Sequence, residues 1–594
     1  MIEPTATAVP EVVIDEADWV AFLKNHRGYK PEWGEPQYGG TIKMSGPRPV
    51  SRWLGGYMGW GAFASGFGGF QAQNSLLMMD PWGSIRDVPI CDLCESFEAS
   101  ADGLTYTFQL RKGVMFHSEG WGQDNGAPAE SYGTELTCED VKTSMEWLTS
   151  PPAEERASFV NRYRTYWAHF DEATCPDGPD GHTVVLKFAY YRNATIGWLA
   201  AGMQVWNKEY REWMDAEYPG VQSTANPEGY LMNHGTGPFI PTFGDSQTVI
   251  KSKRNPTYFR EGAPFADGWE NYFIQDYNTK FAALVTGKTH HAGHGSSGVT
   301  KAQVAQIQST YKDIIELHIV RYNHIQVFML NPLRPPFDDW KVRWAVNLFL
   351  DRQNWDKFMT VGDVKMATIA YFFHPDVGWS IPPEEFLTFP GFNPATKDAD
   401  IAEANRLLDE VFGDGNRPRS DQYVIQLLSR REPSLWGIDQ FKKHLGWEFD
   451  VKYVDTYGNI STECLYTIRT EASTVMENTL TADPGDALNG LHSERTGKPD
   501  CYIQGYKGVG VPPEEEIARV DAILEEADST LDDARRSELL REIELYMVNE
   551  RLTSATLGSM NVAWPVRREL KGVRFYNLGT PSQQRLPERM WLLE

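Results

Sequence analysis

The chain has 594 residues, enough for two to four compact units at roughly 150 residues each. Hydrophobic residues make up 41% and charged residues 23%, an ordinary globular balance that excludes a disordered chain. The formal net charge of -25 argues against nucleic-acid partners, whose binding draws on basic patches, and mildly favours cationic ligands through the summed field.

No run of about 18 apolar residues is present, so no segment reads as a membrane span. The opening MIEPTATAVPEVV lacks a charged stretch followed by an apolar one and reads as a flexible lead-in over residues 1–37. Such a lead-in is expected just after a removed export signal or a lipid-attachment cysteine, with Met1 an added residue. Six cysteines are too few for a disulfide framework in a chain this long. Cys91 and Cys94 form a lone C-x-x-C, which reads as a local disulfide or two buried thiols rather than a zinc or redox motif. Pairing among Cys138, Cys175, Cys464 and Cys501 stays open.

In chain order, YGGTIKMSG (Tyr38 to Gly46) reads as a short strand leaving a glycine turn. In ADGLTYTFQL, Tyr106, Phe108 and Leu110 alternate with Thr105, Thr107 and Gln109, which predicts a hairpin strand after an Asp102-Gly103 turn. Thr137 with Asp140 three residues on predicts a capped helix start. HTVVLKFAY, from His182, predicts another strand. Trp340, Val342, Ala345, Val346, Phe349 and Leu350 share one helical stripe, and Pro335 and Pro336 stop that helix from extending backward. ADIAEANRLLDEVFGDG predicts a helix ending at a glycine turn. Two more helices follow Pro512, the first opened by prolines and glutamates as the macrodipole favours. Strands alternate with helices throughout, so the class is α/β or α+β, and no internal repeat is visible.

Three segments in this order carry a family likeness. ESFEASADGLTYTFQLRKGVMFHSEG followed by ELTCEDVKTSMEWL resembles a "DG-x-TYTF-x-LR-x-GV-x-FHDG" strand pair with "LT-x-EDV" opening a helix. GTGPFIPTFGDSQTVIKSKRNPTYFREGAPFADG is similar to "GTGPF" followed by "NP-x-YW". FMLNPLRPPFDDWKVRWAVNLFLDRQNW is similar to "FN-x-x-x-PPF-x-D-x-RVR-x-A-x-x-x-AIDR". With PVRRELKGV, the chain over roughly 38–580 resembles the extracellular solute-binding proteins of family 5, the dipeptide, oligopeptide and nickel group of ABC importers.

The resemblance implies an α/β, two-lobed periplasmic-binding-protein-like fold of type II with an extra subdomain in the first lobe. It places lobe I over 38–295 with the subdomain near 65–200, lobe II over 296–556, and a return to lobe I over 557–594. It also implies a cleft between lobes that desolvates a solute and closes by a hinge motion. The implied partners are a peptide or similar small organic solute and an ABC-transporter permease, for a monomeric, non-enzymatic receptor at the periplasmic or outer face of the membrane. No cofactor and no metal is expected. The chain departs from the pattern in a longer loop over Asp124 to Tyr132, in the C-x-x-C, and in Ser118-Glu119 after His117.

The candidate site residues follow. GGYMGWGAFASGFGGF spells G-x-G-x-x-A at Gly59, Gly61 and Ala64, with Asp80 about twenty residues on, the spacing of a dinucleotide loop. The preceding SGPRPVSRW is a poor buried strand, and the glycines that follow each cost a helix up to about 1 kcal/mol, so a chance match is the better account. In the resembled family this segment lines the cleft. Tyr57, Trp60, Phe63, Phe67 and Phe70 then offer flat apolar walls, Trp60 first among them, or pack a subdomain interface. THHAGHG places His290, His291 and His294 on a predicted loop, with a hydrogen-bonding role preferred over metal and His294 the choice. LTADPGDALNG stands where peptide-binding members often hold a ligand-binding carboxylate, so Asp483 and then Asp486 are candidates for a cationic group; Asp-Pro-Gly-Asp is equally good turn chemistry. Arg430 and Arg431 could clamp a carboxylate or stand as a solvated pair, and Trp436 is a candidate pocket wall.

Two other readings compete. The aromatic-rich segment suits an oligosaccharide receptor of the same fold. A secreted hydrolase with paired carboxylates is the rival of another class. No H-E-x-x-H and no G-x-S-x-G supports the second.

Overall fold

The computed structural model describes residues 33–46, 70–78, 90–149, 167–193, 195–201, 203–218, 229–245, 247–292, 298–330, 335–368, 373, 379–425, 428–454, 474–480, 514–549, 554–573 and 587–593. The chain divides into two compact units. The first comprises Met1–Gly295, Gln306–His318 and Trp564–Glu594, and the second Ser296–Ala305 and Ile319–Ala563.

The first unit opens with β1 (Thr41–Gly46), after Gly39 and Gly40, whose φ angles of 115° and 73° are available to glycine at little cost. Helix α1 (Phe70–Ala72) precedes β2 (Leu77–Met78), which pairs antiparallel with β3 (Ile90–Cys91). β4 (Cys94–Ala99) and β5 (Thr105–Leu110) form the expected hairpin, with Gly103 at φ 67° in the turn. Asp102 fixes that turn by accepting from the Leu104 N–H at 3.0 Å and the Ser100 hydroxyl at 2.5 Å. Helix α2 (Cys138–Thr149) starts where Thr137 donates both its N–H and its hydroxyl to Asp140 at 2.9 Å. β6 (Phe170–Thr174) and β7 (Thr183–Phe188) complete a four-stranded antiparallel sheet in the order β4-β5-β7-β6. The alternation seen in sequence is real: Tyr106, Phe108 and Leu110 are buried, and with Val184, Leu186, Val141 and Met145 they form one core between sheet and α2. A disulfide joins Cys138 to Cys175, and another joins Cys91 to Cys94.

Helix α3 (Lys208–Glu217) is capped by Asn207, which accepts from the Tyr210 N–H. β8 (Phe239–Asp245), β9 (Val249–Arg254) and β10 (Gly268–Phe273) form an antiparallel run. Helix α4 (Tyr277–Val285) then leads to β11 (His291–Ala292). The order is β11-β1-β10-β9-β8, and β1 is parallel to both β10 and β11.

Helix α5 (Lys301–Gln306) follows the passage into the second unit, and the long β12 (Ile315–Leu330) begins in the first unit and ends in the second. Helix α6 (Trp340–Phe349) is capped by Asp339, which accepts from the Lys341 N–H at 2.8 Å. Its stripe behaves as read: Val342, Ala345, Val346, Phe349 and Leu350 are buried and Trp340 is half-buried. Two cations satisfy its last carbonyls. Arg352, the first residue of α7 (Arg352–Phe358), donates to Asn347 O at 3.1 Å and Gly391 O at 2.7 Å. Lys397 gives its ammonium to Leu348 O, Leu350 O and Gly391 O at 2.9, 2.9 and 2.7 Å. Burial pushes the Lys397 ammonium down to about 8.

A hairpin of β13 (Thr360–Val361) and β14 (Val364–Lys365) precedes β15 (Ala367–Thr368). Helix α8 (Lys397–Phe412) ends at Gly413 with φ 85°. Then come β16 (Ser420–Ile425), α9 (Leu428–Leu445), β17 (Phe449–Val454), β18 (Thr474–Leu480), and two helices, α10 (Glu514–Ser529) and α11 (Asp533–Asn549). β16 is parallel to β17 and to β18, and β18 is antiparallel to β12. β19 (Ser554–Arg567) pairs with β15 in the second unit and with β11 in the first, before β20 (Leu570–Lys571) and β21 (Trp591–Leu592) close the chain as an antiparallel pair.

Candidate functional site

In open α/β sheets, ligands bind beyond the carboxyl ends of parallel strands, where loops and helix N-termini present polar groups that no strand occupies. In the second unit, β16, β17 and β18 run the same way, so their carboxyl ends share one edge. Helix α9 begins three positions after β16 ends, so Arg430 and Arg431 lie in its first turn. That turn holds no acidic residue, so no carboxylate of its own answers the positive end of the macrodipole. Arg431 is exposed. Beside it, burial raises the Glu432 carboxyl, and Lys301 and Arg431 act against the rise. Burial lowers the Lys301 ammonium. Lys301 donates to Phe358 O and lies 3.6 Å from the centre of the Phe358 ring. Trp436 is only 6% exposed, with its ring 5.1 Å from Trp355 and 6.3 Å from Phe358. It supports this edge from within the core. α9 sits close to β12 because Gly437 has no side chain: a Cβ there would fall 1.8 Å from Phe328 Cζ.

In the first unit, β1, β10 and β11 likewise share a direction. β1 ends at Gly46 and β11 at Ala292. Tyr57, Trp60, Phe63 and Phe67 follow β1 in the chain, and His294 is two positions past β11; all five lie outside the described residues. Asp483 and Asp486 do too, three and six positions past the end of β18. His290 lies in a bend just before β11, on the loop that the sequence suggested, whereas His291 is the first residue of that strand. His290 Nδ1 accepts from the Lys43 N–H at 3.0 Å, its own N–H donates to Lys43 O at 2.7 Å, and burial pushes its imidazole down to about 4. His291 is fully buried with its ring 5.7 Å from Trp564. Strand pairing to β1 places His291 in the core. Among the described residues, no group of three or more His, Cys, Asp or Glu is placed to hold a metal ion.

The chain leaving the aromatic-rich segment is firmly held. At Gly235 and Gly237 a Cβ would meet Ala72 O at 2.5 Å and Ala72 C at 2.4 Å, so only glycine admits α1 at this distance. Asn74 accepts from the Thr236 hydroxyl at 3.0 Å and donates to both oxygens of Asp92. Asp92 in turn pairs with buried Arg260, which also reaches Glu588 at 2.9 Å. Sequence reading missed Lys301, Glu432 and this ion network. The separations, 168 positions for Asp92–Arg260 and 328 for Arg260–Glu588, leave no local signal.

Two α/β units, crossed twice by long strands and edged by parallel-strand ends, form the fold of the periplasmic binding proteins. The chain matches the model of "Bacterial extracellular solute-binding proteins, family 5 Middle" over residues 89–427, more than half its length, and belongs to that family. It is 26% identical over 301 residues to the "Probable di/tripeptide-binding protein 5" of Pseudomonas aeruginosa, covering 48% of this chain and 51% of the relative. It is 25% identical over 285 residues to the glutathione-binding protein GsiB of Escherichia coli, covering 46% of each. The chain thus spans about half the length of the curated relatives it matches. The oligopeptide-binding protein AppA from Bacillus subtilis, solved with a nonapeptide, superposes with a TM-score of 0.70 at 18% identity, covering 94% of this chain and all (100%) of AppA. The Helicobacter pylori protein DppA, solved with the peptide STSA, gives 0.70 at 17%, covering 94% and 98%.

Proposed function

We propose that this protein is a non-enzymatic receptor that captures a short peptide or a similar small organic solute and hands it unchanged to an ABC-transporter permease, as a monomer on the extracytoplasmic side. One observation carries the reading. In chain order, the residues chosen from sequence follow strands lying in parallel pairs: Tyr57, Trp60, Phe63 and Phe67 after β1, His294 after β11, Arg430, Arg431 and Trp436 after β16, Asp483 and Asp486 after β18. The chemistry suits a zwitterion. A solute carboxylate at this helix N-terminus would meet the positive end of the macrodipole together with the arginines of the first turn. Asp483 or Asp486 would take the solute's ammonium. Family membership supports the receptor role, and the relatives named for di- and tripeptides and for glutathione support the size of the solute.

Thermal unfolding with and without di- and tripeptides and glutathione tests the proposal. A bound solute at 100 times its Kd raises stability by about 2.7 kcal/mol. Mass spectrometry of the recovered solute should find it intact. A cleaved product, or no shift with any peptide at millimolar concentration, overturns the reading.

A further inference from the structure

Asp92 sits inside the four-residue ring closed by the Cys91–Cys94 disulfide, whose Cα atoms are 5.0 Å apart. The ring is bonded on every side. The Asp92 N–H donates to Leu76 O at 3.0 Å, the Leu93 N–H to Ser75 O at 3.1 Å, and the Asp92 carbonyl accepts from Arg111 Nε at 2.8 Å. The Asp92 carboxylate serves three partners. On one side it accepts from Asn74 Nδ2 at 3.1 and 3.2 Å and from the Ser75 N–H at 3.2 Å. On the other it pairs with the Arg260 guanidinium, which also donates to Tyr258 Oη at 2.7 Å and to Glu588 at 2.9 Å. Asp92, Arg260 and Glu588 are 6%, 2% and 2% exposed, so little water is available to replace a lost partner.

The carboxylate therefore ties the 74–75 stretch to Arg260, and Arg260 in turn holds Tyr258 and the C-terminal segment at 588. The first of these is the foot of the aromatic-rich segment that carries Tyr57, Trp60, Phe63 and Phe67. An aspartate in an open chain keeps backbone and rotamer freedom that a covalent four-residue ring removes.

We propose that the Cys91–Cys94 disulfide is a redox-dependent anchor: it fixes Asp92 for Arg260 and Asn74, and through them positions the 70–78 foot of the solute-binding loop. Its effect on the solute rests on the receptor reading; its effect on the foot does not. Opening requires a dithiol. One thiolate attacks Cys91 Sγ, in the less buried of the two cysteines, 7% exposed against 0% for Cys94. The disulfide bond breaks and Cys94 leaves as a thiolate that takes a proton. The reagent's second thiol then displaces Cys91, giving two protein thiols and an oxidised dithiol, a two-electron exchange. A disulfide donor reverses it.

Hydrogen exchange on the folded full chain decides the matter, with dithiothreitol as the dithiol and alkylation with mass mapping to show which disulfide has opened. Loss of the Cys91–Cys94 bond should speed exchange at 70–78 and 587–592 by about tenfold or more, with β5 and β7 unchanged. The C91S/C94S variant should match the reduced protein. Oxidised Asp92→Asn should loosen the same two segments, and reducing it should add little, because both changes act through one carboxylate. Where C91S/C94S does not accumulate, reduced wild-type protein carries the comparison. Unchanged exchange at both segments after reduction overturns the anchor, as do effects of Asp92→Asn and reduction that simply multiply. Peptide affinity, measured in parallel, should weaken about tenfold on reduction, a shift of about 1.4 kcal/mol. If neither redox form binds a peptide, the receptor reading falls while exchange still judges the anchor.

Discussion

Arg260 and Glu588, 328 positions apart, share a 2.9 Å hydrogen bond with each side chain only 2% exposed. Burial raises the Glu588 carboxyl and the nearby guanidinium opposes that rise. Removing one partner of such a pair strands the other charge away from water. Glu588→Ala should therefore cost about 3–5 kcal/mol, and Glu588→Gln, which keeps an acceptor, should cost less. Urea unfolding should show a lower midpoint with an unchanged slope.

Gly437 has a different vulnerability. Any Cβ there falls on the Phe328 ring, and α9 has to move off β12 to make room. Gly437→Ala should destabilise by about 1–3 kcal/mol despite alanine's better helix propensity. Adding Phe328→Leu should recover part of the loss, a coupling that a double-mutant cycle reads directly.

His117 and His234 are fully buried and neutral. His117 Nε2 donates to Gly237 O at 2.9 Å and His234 Nε2 to Ser131 O at 2.7 Å. Burial pushes them down to about 4 and about 3, from 6.5. The unfolded chain then binds more protons than the folded one below pH 6.5, so stability is full above that value and falls as pH drops toward 4. Each ring accounts for up to about 2 kcal/mol between pH 6.5 and 5, a loss that the Asp140 carboxyl, which burial pushes up to about 6, partly opposes. His234→Gln should flatten that part of the curve in denaturant titrations at stepped pH.

Arg430→Ala, Arg431→Ala and Asp483→Asn address the solute. Each charged hydrogen bond lost should weaken peptide binding by about 1.5–3 kcal/mol, roughly 10- to 150-fold, with unfolding midpoints of the free protein nearly unchanged. Calorimetric titration checks this. Wild-type affinity in all three variants would remove this edge from the site.

The sequence by itself determined the local elements: the β4–β5 hairpin from its alternation and its Asp-Gly turn, the start of α2 from Thr137 and Asp140, the buried stripe of α6, the family from three ordered motifs. These signals span a few neighbouring positions, where backbone preference and side-chain period act together. Tertiary structure decided the rest. It took His291 off a predicted loop and into a parallel pairing with β1, and bonded His290 to the Lys43 backbone. It turned Trp436 toward Trp355 and Phe358, paired Cys138 with Cys175, and set Lys301 beside Glu432. It also joined Asp92, Arg260 and Glu588, three ordinary charged residues in the text. Long-range electrostatics and burial depend on distances that only the folded chain brings below a few ångströms, and no period or spacing in one sequence records them.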